Sequence, residues 1–300
     1  MRATTQPDLI CVGVALWDII GRAERPMKFG NDVPGRIVRT PGGVALNIAI
    51  ALHRAGLVPT LLSVVGQDPE GDDLIAACHR LGIQTEHLHR TTELPTDRYM
   101  AVEDANGLVA AIADARSLEA VGPQILQPLH DGRLGSPDKP WSGLIALDGN
   151  LTTSLLEDIA RSPLFAAADL RVAPASPGKA ERLLPLLRHP RVTLYVNLEE
   201  AGLLCGRTFT DSSTAARALL DRGAPRVIVT DGARASCDGL RDGDLVTATP
   251  PKVAIRRVTG AFDKLWAPHL AAESRGADRA SALTAAVNAA AAHVAGEIGS

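Results

Sequence analysis

Arg257-Val258-Thr259-Gly260-Ala261-Phe262-Asp263 joins a β-rich segment, Val246 to Val258, to an Ala/Leu-rich helical pattern. Gly260 tolerates backbone angles closed to other residues, so a sharp turn is available there. The helix that follows begins with free N–H groups and a positive dipole end, which together suit an anion. Asp263 stands in the first helical turn beside that anion site. A carboxylate in this place can take a proton from a hydroxyl while a phosphoryl group is held in line. The same residues also read as a plain turn followed by an acid at a helix N-terminus, and so short a stretch does not separate the two.

Outward from this junction, strand and helix patterns alternate. Leu9 to Leu16 (LICVGVAL) is a continuous apolar run of strand length, as in the middle of a sheet covered on both faces. It ends at Trp17-Asp18. Ligands of open α/β sheets sit beyond the carboxyl ends of strands, so Asp18 is placed for a polar ligand, or else serves the turn. Pro41-Gly42-Gly43 leads into a helix from Val44 that stops at Gly56. Its two glycines let a ligand approach the backbone at the helix start. Asn47, one turn in, is an amide on an apolar helix and needs a partner.

Thr60 to Val65 predicts the next strand, Gly66-Gln67-Asp68-Pro69-Glu70-Gly71 a loop, and Asp72 to Leu81 a helix. Gly35 to Thr40 alternates like a half-exposed strand. Arg98 to Val102 and Leu108 to Ile112 flank a turn at Asp104-Ala105-Asn106-Gly107, which predicts a hairpin and a small second sheet. Further strands at Gly143 to Leu147, Asp169 to Ala173, Thr193 to Val196 and Arg226 to Thr230 alternate with helices. An Ala-rich helix from Ala280 to Glu297, containing Asn288, closes the chain. Repeated β-α units predict an α/β fold with a mostly parallel sheet between two layers of helices.

Composition narrows the function classes. A net charge of −3 over 300 residues and 3% aromatics argue against nucleic acid as a partner. No apolar run reaches membrane-spanning length, and MRATTQPDLI lacks a signal-peptide core, so no membrane partner and a cytoplasmic location are expected. Cys11, Cys78, Cys205 and Cys237 are scattered without a paired metal motif and are expected to be buried thiols. No G-x-G-x-x-G follows the first strand, which removes the phosphate cradle of a dinucleotide-binding dehydrogenase.

Two distant motifs, Pro41-Gly42-Gly43-Val44-Ala45-Leu46-Asn47-Ile48-Ala49 and Val258-Thr259-Gly260-Ala261-Phe262-Asp263, resemble the two signatures of the ribokinase-like sugar and nucleoside kinase family. Asp18, the Gly66 to Gly71 loop and Asn197-Leu198-Glu199-Glu200, which matches an N-x-x-E motif, extend the resemblance in order over nearly the whole chain. Within the family, Pro34 to Gly43 and Thr96 to Asp114 are most similar to pseudouridine kinases.

The resemblance implies one ribokinase-like domain over residues 1–300, with a β lid inserted from about 19–41 and 96–114 and a homodimer formed through that lid. It implies transfer of a phosphoryl group from ATP to the 5′-hydroxyl or hydroxymethyl of a nucleoside or sugar, with pseudouridine favoured. Asp18, Gly42, Gly43, Asn47 and Thr96 would meet the acceptor. Asp263 would be the base, and the Gly260, Ala261, Phe262 and Asp263 backbone the anion hole. Asn197, Thr230, Gly232 and Asn288 would take ATP, and Glu200 with Asn197 would organise Mg²⁺ through water. A monovalent cation such as K⁺ is a further implied cofactor.

The chain departs from the pattern at several points. Phe262 stands where the family has a second glycine, so a benzyl group crowds the anion hole. Lys264, Trp266 and Pro268 occupy positions of small or aliphatic helix formers, and Pro268 removes a helical hydrogen bond. Ala173 precedes Pro174 where relatives carry an acid. Two alternatives therefore stand beside the nucleoside kinase: a kinase for ribose or a sugar phosphate, with Arg36, Arg39 and Arg98 as candidate phosphate ligands, and a nucleoside-binding homologue impaired in catalysis.

Overall fold

The computed structural model describes residues 6–254 and 263–296, the side chains of Asp263 and Lys264 excepted. In chain order, β1 (Leu9–Val12), β2 (Leu16–Ala23), β3 (Gly35–Gly42), α1 (Val44–Arg54), β4 (Pro59–Leu62), β5 (Val64–Gly66), α2 (Pro69–Arg80) and β6 (His89–Thr91) come first. The hairpin β7 (Arg98–Asp104) and β8 (Gly107–Asp114) follows, then α3 (Ser117–Val121), a 3₁₀ stretch (Gly122–Leu129), β9 (Leu144–Asp148), α4 (Thr153–Arg161) and β10 (Asp169–Ala173). A second 3₁₀ stretch (Pro177–Arg188) precedes β11 (Val192–Asn197), α5 (Leu198–Cys205), α6 (Ser212–Asp221) and β12 (Arg226–Thr230). The chain closes with β13 (Ser236–Leu240), β14 (Leu245–Ala248), α7 (Asp263–Ser274) and α8 (Arg279–Val294).

The main sheet has eight strands in the order β14-β13-β12-β11-β10-β9-β1-β4. From β12 to β4 every pairing is parallel, and β13 and β14 add an antiparallel edge. Alternate residues serve opposite faces: Ile10 and Val12 join one buried cluster, Leu9 and Cys11 the other. The first cluster packs under α4, α5 and α6, the second under α1, α2, α7 and α8. Each buried Leu or Ile side chain adds about 1.5–3 kcal/mol, so both layers are held by apolar burial. The four cysteines are free, with Cys11, Cys78 and Cys237 buried. Among the described residues, no helix is long and apolar enough to cross a membrane.

The predicted small sheet exists as β3-β2-β7-β8. Its outer pairs are antiparallel, but β2 and β7 run parallel because they are separate excursions from the main body. The continuous strand expected over Leu9 to Leu16 is divided. Gly13, Val14 and Ala15 lie between β1 and β2, so Asp18 sits within the small sheet and not at the tip of the first main strand. Leu16 to Trp17 are buried, as in a core strand, which is why hydropathy alone does not mark the change of sheet. The predicted strand at Thr60 to Val65 likewise splits, and β5 pairs with β6 in a two-stranded sheet. Of the β-rich segment expected from Val246 to Val258, residues 255–258 lie outside the described residues, and the described ones are strand only to Ala248. Thr249-Pro250-Pro251 follows, and prolines cannot donate to a ladder. The segment after β10, where the alternation predicts a helix, is a 3₁₀ stretch with Pro185 inside it.

Candidate active site

The strand order reverses between β1 and β9: connections from β1 lead outward to β4, and those from β9 lead outward through β10, β11 and β12. The crevice at such a switch point, beyond the strand carboxyl ends, is the natural ligand site of an open α/β sheet. Gly13 follows β1 there, and Asp148 ends β9. They are packed so closely that a Cβ on Gly13 would lie 2.1 Å from the Cβ of Asp148. The Asp148 carboxylate is wholly buried and saturated. Val14 N donates to Oδ2 at 2.9 Å, and both Asn150 N and Asn150 Nδ2 donate to Oδ1 at 2.8 Å. Burial pushes its pKa up against those hydrogen bonds.

The acceptor side lies one turn of chain away. Gly43 has φ 95°, which a side chain would oppose, and a Cβ there would come within 2.4 Å of Val14 O. A Cβ on Gly42 would lie 1.9 Å from Asp18 Oδ2, so the carboxylate of β2 rests on the bare backbone of Gly42. Asp18 is half-buried and has no hydrogen bond to any described residue, and burial raises its pKa to about 6. A desolvated carboxylate without donors is a receptor for hydroxyl groups. Helix α1 starts at Gly43 without a side-chain cap, whereas Asp68, Thr152, Asn197, Asp211 and Asp278 cap α2, α4, α5, α6 and α8. Of its first N–H groups, Leu46 N donates to Val14 O at 3.4 Å, and those of Val44 and Ala45 have no partner among the described residues. Asn47 is half-buried one turn in, and its side chain has no described partner. Thr96 is different: its N–H and Oγ1 both donate to Asp68, at 2.8 and 2.6 Å, so its side chain braces the start of α2.

Helix α7, which begins at Asp263, packs against α1. Arg275, just past α7, donates to Ala55 O, just past α1. The two helices pack together and have 11 and 12 residues, so with their C-terminal ends joined their starts, Gly43 and Asp263, reach the same end of the sheet. Trp266 is fully buried with its ring 5.5 Å from Tyr195, and Tyr195 OH and His269 Nδ1 are hydrogen-bonded at 2.9 Å. Glu273 is held by Arg171 and Arg226, each at 2.6 Å. Burial lowers the pKa of His269 to about 4, so the ring is neutral. The helix runs unbroken through Pro268, anchored by these side chains. Gly260, Ala261 and Phe262 lie outside the described residues, as does the side chain of Asp263.

On the other side of the crevice, the register pairs Asn197 at the end of β11 with Thr230 at the end of β12. The N-x-x-E motif is a capping box: Glu200 N donates to Asn197 Oδ1 at 2.9 Å, and Asn197 N donates to Glu200 Oε2 at 2.8 Å. Burial pushes the Glu200 pKa up to about 7. Glu200 Oε1 and Asn197 Nδ2 have no hydrogen bond to described residues. Gly232 (φ 57°) and Asn288 are exposed, the latter on α8. No cluster of three metal-ligating side chains occurs among the described residues.

Gly13, Val14, Asp148 and Asn150 were not foreseen as members of this site. The signal present in the sequence is the polar Asp148-Gly149-Asn150 closing an otherwise apolar strand.

A mostly parallel sheet with its crevice at the switch point, and an acid on a bare glycine beside an uncapped helix start, suit a phosphotransferase. The pfkB family carbohydrate kinase profile matches residues 6–298, and the chain belongs to that family. It is a carbohydrate or nucleoside kinase. The uncharacterized sugar kinase YeiI of Escherichia coli (strain K12) is 31% identical over 256 residues, 83% of this chain and 67% of that protein. The pseudouridine kinase of the same organism is 26% identical over 267 residues, 86% of this chain and 81% of that protein. The fold is shared with the structure of Arabidopsis thaliana ribokinase complexed with ribose and ATP. That match has a TM-score of 0.77 at 20% identity and covers 99% of this chain and 94% of the other.

Proposed function

We propose that the protein transfers the terminal phosphoryl group of ATP to the 5′-hydroxyl of a nucleoside, with pseudouridine as the favoured acceptor. The observation that carries this reading is a half-buried Asp18, without a donor among the described residues, set against Gly42 at the uncapped start of α1, with α7 packed on that helix. In this reading Asp18 and Asn47 accept from and donate to the sugar hydroxyls, and Asp263 removes the proton of the attacking hydroxyl. The N–H groups of residues 260–263 receive the phosphoryl charge. The nucleotide lies along Asn197, Thr230 and Gly232, whose positions at neighbouring strand ends suit an extended ligand. Asn288, exposed on α8, is assigned to the same nucleotide.

Mg²⁺ fits the residues present in a limited way. A nucleotide-bound Mg²⁺ keeps most of its waters and needs one or two carboxylates, and Glu200 has one oxygen uncommitted. When bound, the ion would neutralise charge on the phosphates. The residues 16–23, 35–42 and 98–114 of the small sheet are read as a lid within a single domain. Ile37, Met100 and Ile112 share one face of it and are exposed, an apolar surface suited to a second copy of the chain.

A sugar as acceptor is the second reading, supported by the sugar kinase relative at 31% identity. A phosphorylated sugar fits less well. Arg39 stacks over Trp17 at 4.1 Å and pairs with Asp73, and Arg98 pairs with Glu70 at 3.1 Å, so two of the three lid arginines are engaged by their own fold.

ADP release measured with pseudouridine, other nucleosides, ribose and fructose 6-phosphate tests these readings. Turnover is expected to be highest with pseudouridine; a preference for ribose selects the second reading. Nucleoside binding without ATP binding or turnover in calorimetry would instead point to an impaired homologue, and Phe262→Gly would then restore turnover.

A further inference from the structure

The acceptor and nucleotide halves of the crevice are separated by the tips of β9 and β10. The sheet order places β1 on one side of them and β11 and β12 on the other. Neighbouring strands are ~4.8 Å apart, so about 14 Å lies between the tips of β1 and β11. A phosphoryl group passing from nucleotide to acceptor crosses the tips of β10 and β9.

One cation is tethered there. Lys179 lies in the 3₁₀ stretch that follows β10, is half-buried, and its Nζ donates to Asn150 Oδ1 at 2.5 Å. Asn150 is itself fixed, because both its N and Nδ2 donate to the buried Asp148. The orientation of the amide follows: Asp148 only accepts and Lys179 only donates. An ammonium has three N–H donors, and the tether uses one. The other two have no partner among the described residues. The neighbouring cation is committed. Arg182 donates to the backbone oxygens of Asn150 and Leu151 at 3.1 and 3.4 Å and stands 3.5 Å from Glu119. Phe262, where the anion hole is expected to have glycine, leaves a further need for positive charge at the phosphoryl group.

We propose that Lys179 contacts the transferring phosphoryl group and stabilises its charge as it crosses from nucleotide to acceptor. This inference rests on the kinase reading above. In the step, a lone pair of the acceptor hydroxyl oxygen forms the new O–P bond. The bond from the terminal phosphorus to the bridging oxygen breaks, and its electron pair leaves on ADP. The hydroxyl proton goes to the Asp263 carboxylate. Lys179 exchanges no proton and holds a non-bridging oxygen through its two remaining N–H groups.

The test compares wild type, Lys179→Met and Lys179→Arg for turnover, thermal melting and calorimetric binding of ATP and AMP. For Lys179→Met a ~10²- to 10³-fold loss in kcat is expected, the scale for removing one donor to a developing anion. Its ATP affinity should fall while AMP affinity and melting temperature stay at wild-type values, and Lys179→Arg should recover most of the rate. Unchanged turnover in Lys179→Met overturns the proposal. Equal losses of ATP and AMP affinity together with a lowered melting temperature also overturn it, since the lysine would then only offset the buried Asp148. A wild type that neither binds ATP nor turns over would defeat the kinase reading first, and this inference with it.

Discussion

Two regions of the crevice each set an aspartate against a glycine, and they treat it in opposite ways. At the floor, Asp148 packs on Gly13, lies fully buried and takes N–H groups of Val14 and Asn150 on both oxygens. At the wall, Asp18 rests on Gly42, remains half-buried and has no donor among the described residues. Both carboxylates are pushed up in pKa by burial. The difference is that the first is consumed in building the loop after β1, while the second keeps its acceptor capacity. A buried polar group left open in this way costs stability unless something fills it, which marks the wall and not the floor as the ligand-facing side.

Breaking the floor should have the largest effect. Asp148→Ala strands one buried donor, Val14 N, and two part-buried ones on Asn150; at ~1–3 kcal/mol for a buried unsatisfied group and less for the others, a loss of ~3 kcal/mol is expected in denaturant unfolding. Activity should disappear with the fold. Asp18→Asn should do the reverse: a ~10²-fold fall in kcat/KM for the acceptor, about 2.7 kcal/mol, with a melting temperature equal to or above wild type. Reduced stability in that variant would contradict the assignment of Asp18 to the ligand-facing side.

Titration sharpens the same contrast. The folded pKa of Asp18, about 6, lies above its reference value of 3.8. Folding therefore takes up a proton between these values, and the contribution of Asp18 to stability declines as pH rises from about 4 through about 6. Acceptor binding needs the charged form and should strengthen over the same interval, so the two profiles slope oppositely in wild type and both flatten in Asp18→Asn. Gly42→Ala should act most mildly. Its Cβ would lie 1.9 Å from Asp18 Oδ2, so Asp18 must swing aside and acceptor affinity should fall by ~10-fold with little change in folding.

Much of this was readable in the chain. The apolar strands at Asp169–Ala173 and Arg226–Thr230 and the helix from Val44 appear where their periodicity puts them, because burial on both faces or one face imposes a pattern that survives in sequence. The motif residues Gly42, Gly43 and Asp18 stood out through glycine chemistry and a polar residue closing an apolar run. The break at Gly13-Val14-Ala15 did not, because the loop is as buried and apolar as the strands it joins. Asn197 and Glu200 were legible as a pair, yet their capping box follows from where the helix starts, a fact of geometry. Thr96 donates both its N–H and its hydroxyl to Asp68, a link between distant segments that its place in the sequence does not reveal.

By itself the amino-acid sequence determined the α/β alternation, the small sheet and the residue types of a phosphotransfer site, since these follow from local periodicity and backbone freedom. Only the tertiary structure decided which acid is free and which is spent. Hydrogen-bond saturation depends on which donors from distant segments, such as Val14 and Asn150 around Asp148, arrive within 3 Å. The packing of α7 on α1, closed by Arg275 on Ala55, is likewise a matter of tertiary structure, and it joins segments more than 200 residues apart.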